Sequence, residues 1–310
     1  MSKVTSSRVW VLGDAVVDLI PNGETNYLKC PGGAPANVAV GIARLQGDAA
    51  FIGRVGQDPL GRFMQSTLQS EDVNTDQMVL DDQQRTSTVI VDLDDSGERS
   101  FTFMVKPSAD QFLLESDLPV FKQGEWLHCC SIALANQPSR LATFAAMNAV
   151  KAVGGFVSFD PNLRDEVWEN SSEIKPNVLK AVRLANVLKF SEEELTFLTG
   201  ESVIEAGLQS LNLASNTLAI VTLGAKGAYV YFNGENLIIS GIKVTPIDTT
   251  GAGDGFVSGL LAYLSSQDDW CLWPVVEKAV EYGNACGALV TTEKGAMTAL
   301  PTLHALKLKL

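Results

Sequence analysis

WLHCCSIALANQPSRLATFAAMNAVKAVGGFVSFDPN, residues 126–162, is the stretch whose reading decides the fold of this chain. It opens on an apolar extended run, WLHCCSIAL (126–134), passes through SRLATFAAMNAVKAVG with apolar residues at helical spacing, and closes on a second extended run, GFVSFDPN (155–162). Strand, crossover helix and strand together make two strands parallel neighbours. Two more short runs, VLKFS (187–191) and LAIVTLG (218–224), continue the alternation, with EEELTFLTG between them as a helix closed by Gly200. The repeated unit predicts an α/β fold with a mostly parallel central sheet. Asp160, Asn162, Ser191 and Thr222 close these strands at the carboxyl edge, where open α/β sheets collect ligands.

The totals fit that reading. The chain has 310 residues, 46% of them apolar and 19% charged, enough for one large domain with a substantial core. A formal net charge of -13 argues against a general nucleic-acid or anionic-membrane surface, because both partners are polyanions. No run approaches the roughly 18–20 apolar residues of a membrane span, and the short apolar run after Met1 ends at Gly13 and Asp14 with no cleavage-site pattern. The expected location is the cytoplasm. Cys30, Cys129, Cys130, Cys271 and Cys286 form no CxxC pair and read as reduced thiols. With only His128 and His304 available, a zinc site or histidine-based catalysis is poorly supplied.

The first third has a different texture. RTSTVIVDLDDSGERSFTFMV (85–105) holds two alternating runs joined by DDSG, the signal of a hairpin. A second extended pair is expected around VWVLGDAVVDLIP and TNYLKCPGG. The expectation is therefore a single domain over 1–310 with a small antiparallel sheet, built from about 14–33 and 85–108, that projects over the strand ends as a lid.

The chemistry concentrates in glycine turns. IDTTGAGDGF (247–256) precedes GFVSGLLAYLSS, whose apolar spacing is helical, so Gly251, Ala252 and Gly253 open a helix whose first free amides and dipole suit an anion. There is no GxxxxGK[ST], and Phe256 breaks a dinucleotide fingerprint. Asp254 beside such a turn could be a general base on a hydroxyl, or simply part of a helix cap. CPGGAPANVAVGIARLQG (30–47) is a second turn into an amphipathic helix, in which Gly32 and Gly33 permit close approach and Asn37 offers both a donor and an acceptor, a combination suited to a polyol. Asp14 and Asp18 are expected at the end of the first strand. FDPNLRDEVW (159–168) carries Arg164, a surface charge or an anion clamp. In KFSEEELTFL (189–198), Ser191 and Glu194 have capping-box spacing. TLGAKGAYV (222–230) reads as a hairpin or as a backbone that a nucleotide passes closely.

Taken together, these stretches resemble the ribokinase-like (PfkB) carbohydrate kinases over essentially the whole chain. The two signatures are GGAPAN near the N-terminus and DTTGAGDGFVSG near the C-terminus; GDAVVDL, SGERSFTF, SFDPNLR and KGAMTALP are similar to those of the bacterial fructokinases within the family, of the sucrose-utilisation type. The resemblance implies a three-layer α/β/α core with a β lid, and ATP-dependent phosphorylation of a sugar, with D-fructose the expected acceptor and aminoimidazole riboside or another furanose the rival. It implies Asp254 as base and the amides of Gly251, Ala252 and Gly253 as an anion hole. Asp14, Asp18, Gly32, Gly33, Asn37, Phe103 and Arg164 are implied around the sugar, and Lys189, Glu194, Thr222, Gly224, Gly227 and Asn284 around ATP. Asp248 and Thr250, with carbonyls around Val290, Glu293 and Gly295, are implied to hold a monovalent cation, expected to be potassium, and magnesium to enter with ATP. A homodimer through the lid is expected. The family's N-x-x-E motif stands here as Ser191-Glu192-Glu193-Glu194, with Ser for Asn. A silent sugar or nucleotide sensor on the same fold would have no need of Asp254.

Overall fold

The computed structural model describes residues 6–93 and 99–310. The DDSG turn expected at 94–97 and the first five residues lie outside the described residues. In chain order the elements are β1 (Val9–Leu12), β2 (Val16–Pro21), β3 (Tyr27–Gly32), α1 (Ala34–Arg44), β4 (Ala49–Gly56), α2 (Pro59–Ser70), β5 (Asn74–Asp81), β6 (Thr88–Leu93) and β7 (Arg99–Phe103). The chain continues with β8 (Trp126–Cys130), α3 (Ser139–Ala152), β9 (Phe156–Asp160), α4 (Ile174–Leu184), β10 (Val187–Ser191), α5 (Glu192–Thr199), α6 (Ile204–Ser210) and β11 (Leu218–Thr222). It closes with β12 (Gly227–Phe232), β13 (Glu235–Ser240), α7 (Ala252–Leu264), α8 (Trp273–Val290) and α9 (Leu303–Lys307).

Among the described residues, nine strands form one sheet in the order β13-β12-β11-β10-β9-β8-β1-β4-β5. Among the described residues, pairing is parallel from β5 to β11 and antiparallel for β11–β12 and β12–β13 at the far edge, so that β12 alone runs against the rest. Alternation along β1 shows why helices cover both faces. Val9 and Val11 join a core with Val38, Leu260 and Val280, while Trp10 and Leu12 join a core with Met147, Val182 and Leu195. Every residue of β1 is buried, and side chains of this size contribute about 1.5–3 kcal/mol each when fully buried. The result is the three-layer α/β/α arrangement expected from the βαβ repeats.

Several expectations need correction. Not foreseen from the pattern is that β4, α2 and β5 form a further βαβ unit, extending the main sheet beyond β1. Val9–Leu12 belongs to the main sheet, and only Val16–Pro21 pairs with Tyr27–Gly32. Asp18 therefore sits within β2 and not at the end of the first strand, while Asp14 does follow β1. The four-stranded second sheet, order β3-β2-β6-β7, is not wholly antiparallel, since β2 and β6 run parallel at its centre. The extended run before the GAGD turn ends at Ser240.

The chain moves outward from β1 in one direction through β4 and β5, then returns to the other side through β8 to β11. Connections on the two sides of this reversal diverge, leaving a crevice at the carboxyl ends. Helices α1 and α7 pack tightly above it: a Cβ at Gly41 would lie 2.2 Å from Ser258 Oγ. That hydroxyl already donates to Asp254 O at 2.7 Å. Gly41→Ala would gain about 1 kcal/mol of helix propensity in isolation. Because the added carbon overpacks a fixed contact, we expect instead a net loss of about 1–3 kcal/mol, read as a lowered urea midpoint at unchanged m.

Candidate active site

The turn before α7 is held by shape. Gly251 has φ 78°, and a Cβ there would lie 2.7 Å from the Cβ of Ala296. Ala252 N-H donates back to Thr249 O at 3.2 Å, closing the turn, and Gly255 N-H donates to Gly251 O at 2.8 Å. Gly253 and Asp254 fall in the first helical turn, where amides lack intrahelical acceptors and the dipole favours negative charge.

Asp254 is 9% exposed and sits 217 positions along the chain from its partner, Asn37, whose Nδ2 donates to Asp254 Oδ2 at 2.8 Å. Burial raises its pKa to about 6; the Asn37 hydrogen bond opposes the shift, Asp160 adds to it, and Lys189 and Arg164 counter it. Asn37 is delivered by α1, which begins at Gly33 (φ 96°) with Pro35 in its first turn. A Cβ at Gly33 would lie 2.7 Å from Asp14 O, and one at Gly32 would lie 2.5 Å from Asp18 Oδ2. The two glycines thus bring both aspartates against the start of α1.

Asp14 is buried, and among the described residues neither its Oδ1 nor the Oδ1 of Asn37 has a hydrogen-bond partner. Burial, then Asp110, pushes the Asp14 carboxyl up to about 7. Asp14 lines a cleft with Phe103, Ser108, Asp110, Gln111 and Asn136. Asp110 accepts hydrogen bonds from Ser108 Oγ at 2.5 Å and from Gln111 Nε2, and Asn136 Nδ2 donates to Gln111 Oε1 at 3.2 Å. Arg164, on the loop after β9, is an exposed residue whose charge still acts on both Asp14 and Asp254.

Lys189 leaves β10 towards the same point. Its Nζ lies 3.1 Å and 3.3 Å from the two carboxylate oxygens of Asp160, and a Cβ at Gly253 would be 3.3 Å from that Nζ. Burial alone would lower the lysine pKa, but Asp160 and Glu194 outweigh it and hold the ammonium charged. Ser191 does form the capping box: its Oγ accepts from Glu194 N at 3.1 Å, and Glu194 Oε2 accepts from Ser191 N at 2.8 Å. The other Glu194 oxygen accepts from Leu163 N at 3.1 Å, fastening the Arg164 loop to α5. Burial, then Asp160, raises the Glu194 pKa.

Thr222, Gly224, Gly227 and Asn284 gather along the β11 edge. Thr222 Oγ1 donates to Phe190 O at 3.2 Å. Gly224 (φ 56°) and Gly227 (φ 103°) bracket the turn between β11 and β12, a hairpin as one reading had it. Asn284 Nδ2 donates to Ile239 O and Ser240 O at 3.1 and 3.2 Å, pinning the end of β13 to α8. Asp248 ties the remaining loops, accepting from Thr250 N at 3.0 Å and from Gly295 N at 2.9 Å. Val290 packs its side chain beside Gly255, and its carbonyl accepts from Glu293 N at 3.4 Å; Glu293 is exposed.

The sequence reading lacked two parts of this arrangement. Asp160 was visible only as a polar strand end, with no sign that Lys189 on the next strand would pair with it. Ser108, Asp110, Gln111 and Asn136 lie in segments without periodicity, and no motif marks them.

The profile of pfkB family carbohydrate kinases matches residues 6–303. A fructokinase from Vibrio alginolyticus is 63% identical over 296 residues, covering 96% of each chain. The structure of fructokinase from Vibrio cholerae O395 in its fructose-, ADP- and calcium-ion-bound form superposes with a TM-score of 0.94 at 62% identity, covering 99% of each chain. A double mutant of that enzyme, in a fructose-, ADP- and potassium-ion-bound form, gives 0.95 at 62% identity with the same coverage. An aminoimidazole riboside kinase from Salmonella typhimurium is 42% identical over 295 residues, covering 95% of this chain and 92% of its own. The match across nearly the whole length, in sequence and in fold, means that this chain belongs to the pfkB family of carbohydrate kinases.

Proposed function

We propose that this carbohydrate kinase transfers the γ-phosphoryl group of ATP to a primary hydroxyl of D-fructose, giving fructose 6-phosphate and ADP, with Asp254 as the general base. The observation that carries the reading is Asp254 itself: a buried carboxyl at the start of α7, raised to about 6, with one oxygen committed to Asn37. A base of that pKa is ionised at neutral pH yet basic enough to take a hydroxyl proton in the transition state. Oδ1, the oxygen not held by Asn37, receives that proton as the sugar oxygen attacks phosphorus and the bond to the β-γ bridging oxygen breaks. Charge spreads over the phosphoryl oxygens, where the amides of Gly251 and Gly253 at the start of α7, joined by that of Ala252 once it turns from Thr249 O, and the Lys189 ammonium stabilise it.

The buried, unpartnered oxygens of Asp14 and Asn37 call for hydroxyl donors, which supports a polyol in the cleft with Asp18, Gly32, Gly33, Phe103 and Arg164 around it. The identity of the sugar is supported by the relatives named fructokinase; aminoimidazole riboside is the second reading, on the 42% relative. ATP would lie along Thr222, Gly224, Gly227 and Asn284. Asp248, Thr250 and the carbonyls around Val290, Glu293 and Gly295 offer only hard oxygen ligands, which fit potassium. Among the described residues no cluster of three or more acidic, histidine or cysteine side chains could hold an ion, so magnesium is expected to share its ligands with the ATP phosphates, near Glu194; when bound, it neutralises phosphate charge.

The small sheet would act as a lid that excludes water from the transfer. Its exposed Tyr27, Leu28 and Met104 make it the face for a homodimer. No helix among the described residues is long and apolar enough to cross a membrane. Cys129, Cys130 and Cys286 are buried free thiols, in keeping with a reducing compartment, so the cytoplasm is the proposed place of action.

Asp254→Asn should keep its fold and bind ADP by calorimetry, yet lose turnover by about three orders of magnitude or more, the upper part of the range for a positioned base. In the parent enzyme, kcat/KM should fall as pH drops through about 6, because protonation removes the base. Near-normal turnover in the variant would remove Asp254 from the mechanism. In a panel of fructose, ribose, 2-keto-3-deoxygluconate and aminoimidazole riboside, compared by kcat/KM with and without potassium, fructose should lead and potassium should raise the rate. A better rate on another acceptor would replace the sugar while leaving the kinase.

A further inference from the structure

Beneath the phosphoryl-transfer site lies an ion pair that the mechanism above uses from one side only. Asp160, at the end of β9, is 2% exposed, and Lys189, on the neighbouring strand β10, is 9% exposed. Both oxygens of Asp160 face the lysine ammonium, at 3.1 and 3.3 Å. Asp160 Oδ1 also accepts from Asn162 N at 3.2 Å, in a turn where Asn162 takes φ 40°. A buried pair of this kind gives little net stability over apolar groups of similar volume, because the desolvation cost offsets the Coulomb attraction. Its value has to be sought in what it positions. The ammonium stands where a side chain on Gly253 would begin, so glycine at that place leaves the amides at the start of α7 and a fixed positive charge side by side.

We infer that Asp160 is a positioning residue for phosphoryl transfer: it holds the Lys189 ammonium against Gly253, aimed at the phosphoryl group, and does not itself touch either substrate. The inference rests on the reading of the α7 turn as the phosphoryl site. Lysine is a flexible point charge on four methylenes, and a buried one without a counterion tends to lose its proton. Asp160 removes both freedoms, fixing the direction of the side chain and keeping it charged. Lys189 is surrounded by Asp160, Glu194 and Asp254, with His128 on β8 behind it, which burial and then Lys189 itself hold neutral with a pKa lowered to about 3. Asp254 faces Asn37 from α1, Asp160 from β9, Lys189 from β10 and Arg164 from the loop after β9, and it acts in turn on Asp14 after β1.

The test is a double-mutant cycle on the full-length enzyme with ATP and fructose. Asp160→Asn should lower kcat by about 10- to 100-fold, the loss that follows from misplacing a reacting group's partner, while KM for the sugar stays within about threefold. Lys189→Met should cost about 100-fold or more, as for loss of one preorganised donor. The double variant Asp160→Asn/Lys189→Met should lie within about threefold of Lys189→Met alone, since Asp160 acts through the lysine. Asp160→Asn should also shift the acid limb of kcat/KM to lower pH, because the Asp160 charge is among those holding the Asp254 proton affinity up. That shift follows from the charge alone, so the positioning role is read from the coupling with Lys189 in the cycle. Should Asp160→Asn fail to fold, the comparison of the double variant with Lys189→Met still decides, as neither leaves a lysine without its counterion. A further loss above about threefold in that comparison overturns the inference. Turnover retained by Asp254→Asn would instead overturn the base assignment, and the Asp160–Lys189 coupling would be read separately from these ratios.

Discussion

Burial of the central sheet on both faces is the constraint on which the rest of this structure depends. The central strands β1, β4, β8, β9, β10 and β11 present mostly apolar side chains above and below, so few polar groups find a place along their length. Chemistry is displaced to the carboxyl ends, where Asp14, Asp160, Ser191 and Thr222 stand at or just past the ends of four strands. The reversal of strand order beside β1 then opens the crevice into which these ends point. Even the polar residues within strands conform: His128 meets Ser158 at 3.0 Å and is held neutral.

Over that crevice the two glycine turns work as a pair. The turn at Gly32 and Gly33 sets α1 against Asp14 and Asp18, while the turn at Gly251 sets α7 against Ala296. The close contact of Gly41 with Ser258 brings the two helices together, and the Asn37–Asp254 hydrogen bond forms across the junction. A carboxylate beside an anion site would ordinarily be repelled by its ligand. In the proposed mechanism the roles are divided in space: the amides and Lys189 would face the anion, and Asp254 the sugar side, with one oxygen fixed by Asn37. Burial lifts the Asp254 carboxyl to about 6, which suits the proposed role of base better than the ordinary value of an exposed aspartate would.

Local pattern revealed much of this. The βαβ repeats from Trp126 onward, the helix starts after Gly33 and Gly251, and the Ser191 capping box all follow from spacing and residue type within a few positions. The unit β4-α2-β5 is not marked by local pattern, because AAFIGRVG lacks period-two alternation: both faces are buried, so the strand reads as a short apolar run that could equally belong to a helix. Asp18 was placed one element too early because the bend at Gly13 and Asp14, which separates the main sheet from the small one, interrupts a run that looks continuous.

What the sequence by itself determined, then, is the class of fold and the residues of the two glycine turns, because each is a matter of periodicity or of backbone freedom near one place in the chain, and, through the resemblance of its motifs, the family. What only the tertiary structure decided is which distant groups meet: Asn37 with Asp254, Lys189 with both Asp160 and Gly253, Glu194 with the backbone of Leu163, and Asp110 with the cleft that Asp14 lines. The physical reason is that ion pairing, desolvation and close packing depend on separation in space, and strand order in a doubly wound sheet makes neighbours of residues that the chain keeps far apart.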